Sequence, residues 1–228
     1  LTDSETRLRL YSPHPPQHNN WPAQTRAETR VIPFPRLWTH GRLAFELYQA
    51  RPDVLFVPAH VLPVLCPVPT VVTVHDLGYY HYPQAHRKFD RWYLHWSTLR
   101  HTRVADHILA DSQATRQDLI EFYGADPDRI SVVYLGRDEA LHRVEATEQI
   151  DLVKQKYNIQ GPYLLYLGTL HPRKNLVRLV EAFKGVSIRH PDIQLVIAGQ
   201  KGWLYREIFQ RVHDLDLADR VVFTGFID

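Results

Sequence analysis

Two strings in this chain carry residue types that could handle a charged substrate. Gly168-Thr-Leu-His-Pro-Arg-Lys-Asn175 sets two cations, Arg173 and Lys174, directly before Asn175 and the apolar periodicity that starts at Leu176. Cations beside a helix N-terminus, where unpaired N–H groups and the helix dipole already favour negative charge, suit a phosphate or pyrophosphate. Gly168 lets such a group approach the backbone closely. By spacing alone, the string fits a surface loop with solvated Arg and Lys equally well. The second string, His75-Asp76, follows a β-branched run. It suits orientation of a substrate hydroxyl or phosphate, or acid–base work near neutral pH. A lone His at a strand end is more often structural. Gly199-Gln-Lys-Gly202 resembles a nucleotide turn, although a G-x-x-G spacing by itself marks any tight turn. Asp111-Ser112 is read chiefly as a helix cap.

These residues all directly follow strand-like runs, and ligands of open parallel sheets bind beyond the carboxyl ends of the strands. The predicted strands are Arg7–Tyr11, Val54–Val57, Thr70–Val74, His107–Ala110 and Ile130–Tyr134, then Tyr163–Leu167, Gln194–Ala198 and Val221–Thr224. Helical patterns fall at Gly41–Gln49, Arg87–Arg103 and Gln113–Tyr123, the last with Ser112 as N-cap and Gly124 as its left-handed end. In the second half, Leu176, Leu179, Val180 and Phe183 mark one apolar helix face and Leu204, Ile208, Val212 and Leu215 another. Asn175 is the expected N-cap of the first of these. The alternation predicts an α/β fold of two doubly wound, Rossmann-like domains, residues 1–145 and 147–228, with a linker at about 136–146. The helix Arg87–Arg103 carries Phe89, Trp92, Tyr93, Trp96 and Leu99 among Arg87, Lys88, Arg91, Arg100 and Arg103. Its aromatic stripe is read as packing on the sheet; the second reading is peripheral contact with an anionic membrane.

Composition narrows the class. Apolar residues make up 44% and charged residues 23% of 228 residues, ordinary for a globular chain with a packed core. A formal net charge of +2 without a basic block gives no reason to expect a nucleic-acid partner. The fourteen His are scattered, with no HExxH string or Cys/His cluster, so no metal is expected. Cys66, the single cysteine, cannot form an internal disulfide and fits a reducing compartment. The uncharged run Val54 to Val74 is interrupted by Pro58, Pro63, Pro67 and Pro69, and reads as two strands with a Pro-rich connector rather than a membrane span.

Together, Thr70-Val-Val-Thr-Val-His-Asp-Leu77, Ala110-Asp-Ser-Gln-Ala-Thr115, Tyr163 to Asn175, Leu195-Val-Ile-Ala-Gly199 and Val221-Val-Phe-Thr-Gly225 resemble, in order, the motifs of the retaining glycosyltransferase family 4, which has the two-domain GT-B fold. The resemblance runs from about Val54 to Asp228. It implies transfer of a sugar from a nucleotide-sugar donor to a saccharide or lipid-linked acceptor, with retention of configuration. Arg173 and Lys174, with Gly168, would hold the donor diphosphate; Gly199, Thr224 and Gly225 would lie at the nucleotide; His75 and Asp76 would be catalytic. Neither cofactor nor metal is implied, since the two cations stabilise the leaving phosphate, and the place of action would be the cytoplasm or the cytoplasmic face of the membrane.

Family members also carry a strand and glycine-bearing loop ahead of the Arg7–Tyr11 strand and a Glu-x7-Glu segment after Gly225. The chain is therefore expected to be an incomplete, inactive part of a longer protein, with an unpaired sheet edge. The alternative is a non-catalytic nucleotide-sugar-binding or assembly subunit. Sugar-nucleotide epimerisation would need several carboxylates near the donor, and no such cluster is seen.

Overall fold

The computed structural model describes residues 6–16, 27–59, 61–138 and 140–227. These form two compact units: one built from the chain up to His81 together with Arg87–Leu135, the other from Tyr82–His86 together with the chain from Gly136 onward. All strand pairing between named strands is parallel, and helices separate most consecutive strands, giving the α/β class.

In the first unit, β1 (Leu8–Ser12) pairs with β2 (Ala27–Val31). The sequence reading missed β2 because Ala-Glu-Thr-Arg-Val lacks an apolar run. A π-type turn at Thr39–Leu43 leads into α1 (Ala44–Ala50), where Glu46, 1% exposed along its side chain, is paired with Arg30 and Arg42. Then follow β3 (Leu55–Val57), β4 (Thr70–Val74), α2 (Gly78–His81), α3 (Lys88–Val104), β5 (His107–Ala110), α4 (Gln113–Tyr123) and β6 (Ile130–Val132). The four strands lie side by side in chain order, β3-β4-β5-β6. The uncharged run from Val54 thus divides into β3 and β4, with His60 outside the described residues. No helix among the described residues is long and apolar enough to cross a membrane. Ser112 caps α4 as expected, its hydroxyl accepting the Thr115 N–H at 3.1 Å, and Gly124 ends it in the left-handed conformation.

The stripe of α3 packs on the core only in part: Leu99 lies against it and Tyr93 and Trp96 are half-buried, but the N-terminal aromatics stand out. The buried residues of this helix are Ser97, Thr98, His101 and Thr102, whereas Phe89 and Trp92 are 70% and 59% exposed. Small hydroxyl side chains permit close packing, and their polar atoms are satisfied locally: Ser97 donates to the Leu94 carbonyl and Thr102 to that of Leu99. The Tyr79 hydroxyl donates to Thr98 at 2.7 Å and lies 2.9 Å from that of Tyr123, which also contacts His95 at 2.9 Å. This network ties α2 to α3 and α4. Burial pushes the Tyr123 phenol up from its ordinary pKa, so it stays neutral.

The second unit contains α5 (Thr147–Lys156), β7 (Tyr163–Leu167), α6 (Leu176–Arg189), β8 (Gln194–Ala198), α7 (Arg206–Asp214) and β9 (Val221–Gly225). Strand order is β7-β8-β9. The central β8 is buried throughout, and Leu176, Val180, Phe183, Ile208 and Val212 pack around its Leu195 and Ile197. β7 lies at an edge with Leu164, Leu165 and Leu167 exposed. Leu204, assigned by periodicity to the apolar face of α7, instead lies ahead of the helix in a turn with φ +56° and is exposed.

Candidate functional site

Three adjacent strand ends meet in the first unit. Because β4 lies between β3 and β5, the residue after β4 has a neighbour from each side. His75 follows β4, and its Nδ1 donates to Asp111, the residue after β5, at 2.6 Å. Its Nε2 donates to the carbonyl of Pro58, the residue after β3, at 2.9 Å. A carboxylate and a carbonyl only accept, so the geometry calls for a proton on both nitrogens. The pKa of His75 is accordingly raised. The hydrogen bond to Asp111 is the largest cause, the Pro58 carbonyl and the charges of Asp111 and Asp76 add to it, and partial burial opposes it. The Thr115 hydroxyl holds the His75 backbone carbonyl at 3.1 Å.

This arrangement corrects two expectations. Asp111 was read as a cap, but Ser112 alone makes the cap hydrogen bond and Asp111 grips His75. The strand-end rule placed Asp111 on the right edge; what it lacked was the knowledge that β4 and β5 are neighbours. His75 itself does not present an empty nitrogen for proton abstraction, because both nitrogens are engaged. Asp76 accepts the Gly78 N–H at 2.7 Å, shaping the turn into α2.

In the second unit the strand ends again gather the expected residues. The Gly168 N–H donates to the Ala198 carbonyl at 2.9 Å and the Gly199 N–H to the Gly225 carbonyl at 2.8 Å, so the glycines after β7 and β8 and at the end of β9 form one edge. Gly199 has φ +146°, and a Cβ there would stand 2.0 Å from the Gly168 carbonyl oxygen. Only glycine permits that approach. Ile197 pairs with Phe223 but Ala198 with Gly225, leaving Thr224 as the extra residue of a bulge, its hydroxyl donating to the Gly225 carbonyl at 3.0 Å.

Arg173 and Lys174 lie in a single 3-10 turn, Pro172–Lys174, immediately before α6. Proline fits the first position of the turn because it needs no N–H partner there. His171 caps it, its Nδ1 accepting the Arg173 N–H at 3.3 Å. Burial, then the charges of Arg173, His86 and Lys174, lower the pKa of His171. Asn175 does not cap α6 through its side chain as expected. It adopts φ +55°, closing the turn with its N–H on the Pro172 carbonyl, and makes no side-chain cap hydrogen bond. A cavity of about 210 Å³ lies beside this turn, lined by His171, Asn175, Leu176, Val177, Leu204 and Glu207. That is smaller than the ~300–1,000 Å³ of a pocket enclosing a whole small ligand. Among the described residues no three His, Cys, Asp or Glu side chains come together as a metal-ligand set.

Comparison with known proteins bears on both units. The family described as Glycosyltransferase Family 4 matches residues 7–141, and Glycosyl transferases group 1 matches residues 149–228. The chain is similar to the mannosylfructose-phosphate synthase of Agrobacterium fabrum, 24% identical over 178 residues that cover 70% of this chain and 39% of the relative. It is also similar to the O-antigen chain mannosyltransferase B of Escherichia coli, 28% identical over 163 residues covering 69% and 42%. The chain thus spans about two-fifths of the length of these curated relatives, at 39% and 42%. Among solved structures, Anabaena HepE in complex with UDP-glucose superposes with a TM-score of 0.68 at 20% identity, covering 89% of this chain and 57% of that one. WaaG, a glycosyltransferase involved in lipopolysaccharide biosynthesis, gives 0.64 at 18%, covering 98% and 63%. These likenesses identify the fold as that of the GT-B glycosyltransferases.

Proposed function

The chain belongs to Glycosyltransferase Family 4, and from that membership we propose that its protein moves a hexose from a nucleotide-sugar donor to a saccharide or lipid-linked acceptor with retention of configuration. The observation that carries the reading is the Gly168–Asn175 loop, where two cations precede the N-terminus of α6 beside the Gly168–Gly199 edge. The mannosyltransferase among the relatives and the UDP-glucose held by HepE favour a nucleoside-diphosphate hexose.

In this reading Arg173 and Lys174 bind the diphosphate and stabilise the charge it gains as it leaves, so no divalent metal is required. Gly199, Thr224 and Gly225 lie at the nucleotide. The C1–phosphate bond breaks while the acceptor oxygen bonds to C1 from the same face. The acceptor's proton passes to an oxygen of the departing phosphate, so His75 need not act as a base. His75 instead donates to an oxygen of the sugar, and Asp76 keeps the turn that carries it in shape. The enzyme works at the cytoplasmic face of a membrane, which Phe89 and Trp92 contact with Arg87, Lys88 and Arg91 beside them.

The complete protein offered a panel of nucleotide sugars and saccharide or lipid-linked acceptors is expected to transfer one hexose, and NMR of the product should report the donor's anomeric configuration. Donor binding by calorimetry without transfer or donor hydrolysis would instead establish a non-catalytic binding subunit.

A further inference from the structure

We propose that Asp111 is a positioning residue for His75, fixing the imidazole so that its Nε2–H is offered to a ligand oxygen that replaces the Pro58 carbonyl. This rests on the reading that the first unit receives the sugar.

Four observations carry it. Asp111 is not needed to cap α4, since the Ser112 hydroxyl fills that role. Its side chain is only 14% exposed while that of His75 is 49% exposed, so the carboxylate anchors the ring from below and the ring remains open to solvent. The two hydrogen bonds of the ring are unequal. The contact to Asp111 is 2.6 Å and charge-assisted, that to Pro58 is 2.9 Å and ends on a neutral carbonyl. A protonated imidazole pairs more strongly with a carboxylate, where both partners are charged, than with a neutral carbonyl, so the Pro58 contact is the one that exchanges. Finally, Thr115 holds the His75 backbone from the same helix that Asp111 precedes. Side chain and main chain of His75 are thereby referenced to one end of α4.

The consequence is chemical. An imidazole that keeps a proton on Nδ1 against a carboxylate donates from Nε2, and carries positive charge, only while Nε2 is protonated too; once neutral, its Nε2 accepts. The charged groups that act on it are Asp111 and Asp76, both anionic, and both favour that charge. In that charged form the group stabilises an electron-rich oxygen and does not remove a proton.

The test is ¹⁵N NMR of His75 in the complete protein across pH 5 to 9, with kinetics on the same enzyme. In the wild type, Nδ1 should stay protonated throughout, and the charged form should persist above the ordinary imidazole range. Asp111→Asn should move the titration to lower pH and, in the complete enzyme, carry the alkaline arm of kcat/KM with it. The value of kcat/KM should fall on the order of tenfold to a hundredfold, with Asp111→Glu restoring part of the loss. Ser112→Ala, which weakens the cap of α4, should lower the melting temperature without moving the titration.

An unprotonated Nδ1 in the wild type, or a His75 titration that is the same with Asp111→Asn, overturns the proposal. The wild-type tautomer decides this even if the variant does not fold. Because the NMR measurement does not depend on turnover, an enzyme without transferase activity would sink the proposed function while leaving the positioning of His75 to stand or fall by the spectrum.

Discussion

Gly199 lies against the backbone of Gly168 so closely that a methyl group on its Cα would meet the Gly168 carbonyl oxygen at 2.0 Å. The obstacle is main chain, which cannot swing aside as a side-chain tip would. Gly199→Ala should therefore destabilise the second unit by on the order of 2–4 kcal/mol, combining the clash with the strain of a positive φ. A denaturant melt of the second unit reads this directly, and an unchanged midpoint would refute the close approach.

Arg173 and Lys174 occupy one turn but differ in chemistry, since a guanidinium can hold two phosphate oxygens at once and an ammonium is a point charge. In the complete enzyme, Arg173→Ala should lower turnover by roughly a hundredfold or more, about 3–4 kcal/mol of barrier. Arg173→Lys should recover only part. The melting temperature should change little, because the turn lies at the surface.

The lowered pKa of His171 has a definite sign for stability. Folding disfavours its charged form, so as pH falls through the ordinary imidazole value the unfolded chain takes up a proton that the folded chain refuses, and stability drops. His75, with its raised value, acts in the opposite direction: its contribution is present at acid pH and is lost as pH rises through the folded value. His171→Asn keeps a capping side chain but does not titrate. It should remove the acid loss, seen as a smaller fall in denaturation midpoint between pH 7.5 and 5.5.

Tyr123 holds contacts to Tyr79 and His95 from within the first core. Tyr123→Phe keeps the ring and deletes both, and should cost about 1–3 kcal/mol, since buried polar partners are left short of a bond. Chemical denaturation of the first unit measures it.

Phe89 and Trp92 stand out on α3 beside Arg87, Lys88 and Arg91. Replacing both with Ser should abolish co-flotation with anionic vesicles and leave the melting temperature unchanged. Flotation that survives the double substitution would remove this helix from any membrane contact.

Much of the fold was legible because its signals are local. β-branched runs such as Thr70–Val74 have one comfortable backbone state, and Ser112 and Gly124 mark the ends of α4 by chemistry that acts within one turn. Failures arose where a neighbour remote in sequence overrode the local pattern. Charged β2 forms because β1 pairs with it; the N-terminal aromatics of α3 lost the interior to Ser97, Thr98 and Thr102; Asn175 took a left-handed backbone set by the turn before it.

For the candidate site the division is similar. Sequence alone determined that His75, Gly168, Gly199 and Gly225 fall at or just beyond the carboxyl ends of strands, and that Arg173 and Lys174 precede a helix, because strand and helix ends are written in short-range residue patterns. Only the tertiary structure decided that Asp111 and Pro58 are the partners of His75. Residues 17 and 36 positions away meet it because parallel pairing sets β3, β4 and β5 side by side with their carboxyl ends together. Which strands become neighbours depends on the burial of whole faces, and no local pattern encodes it.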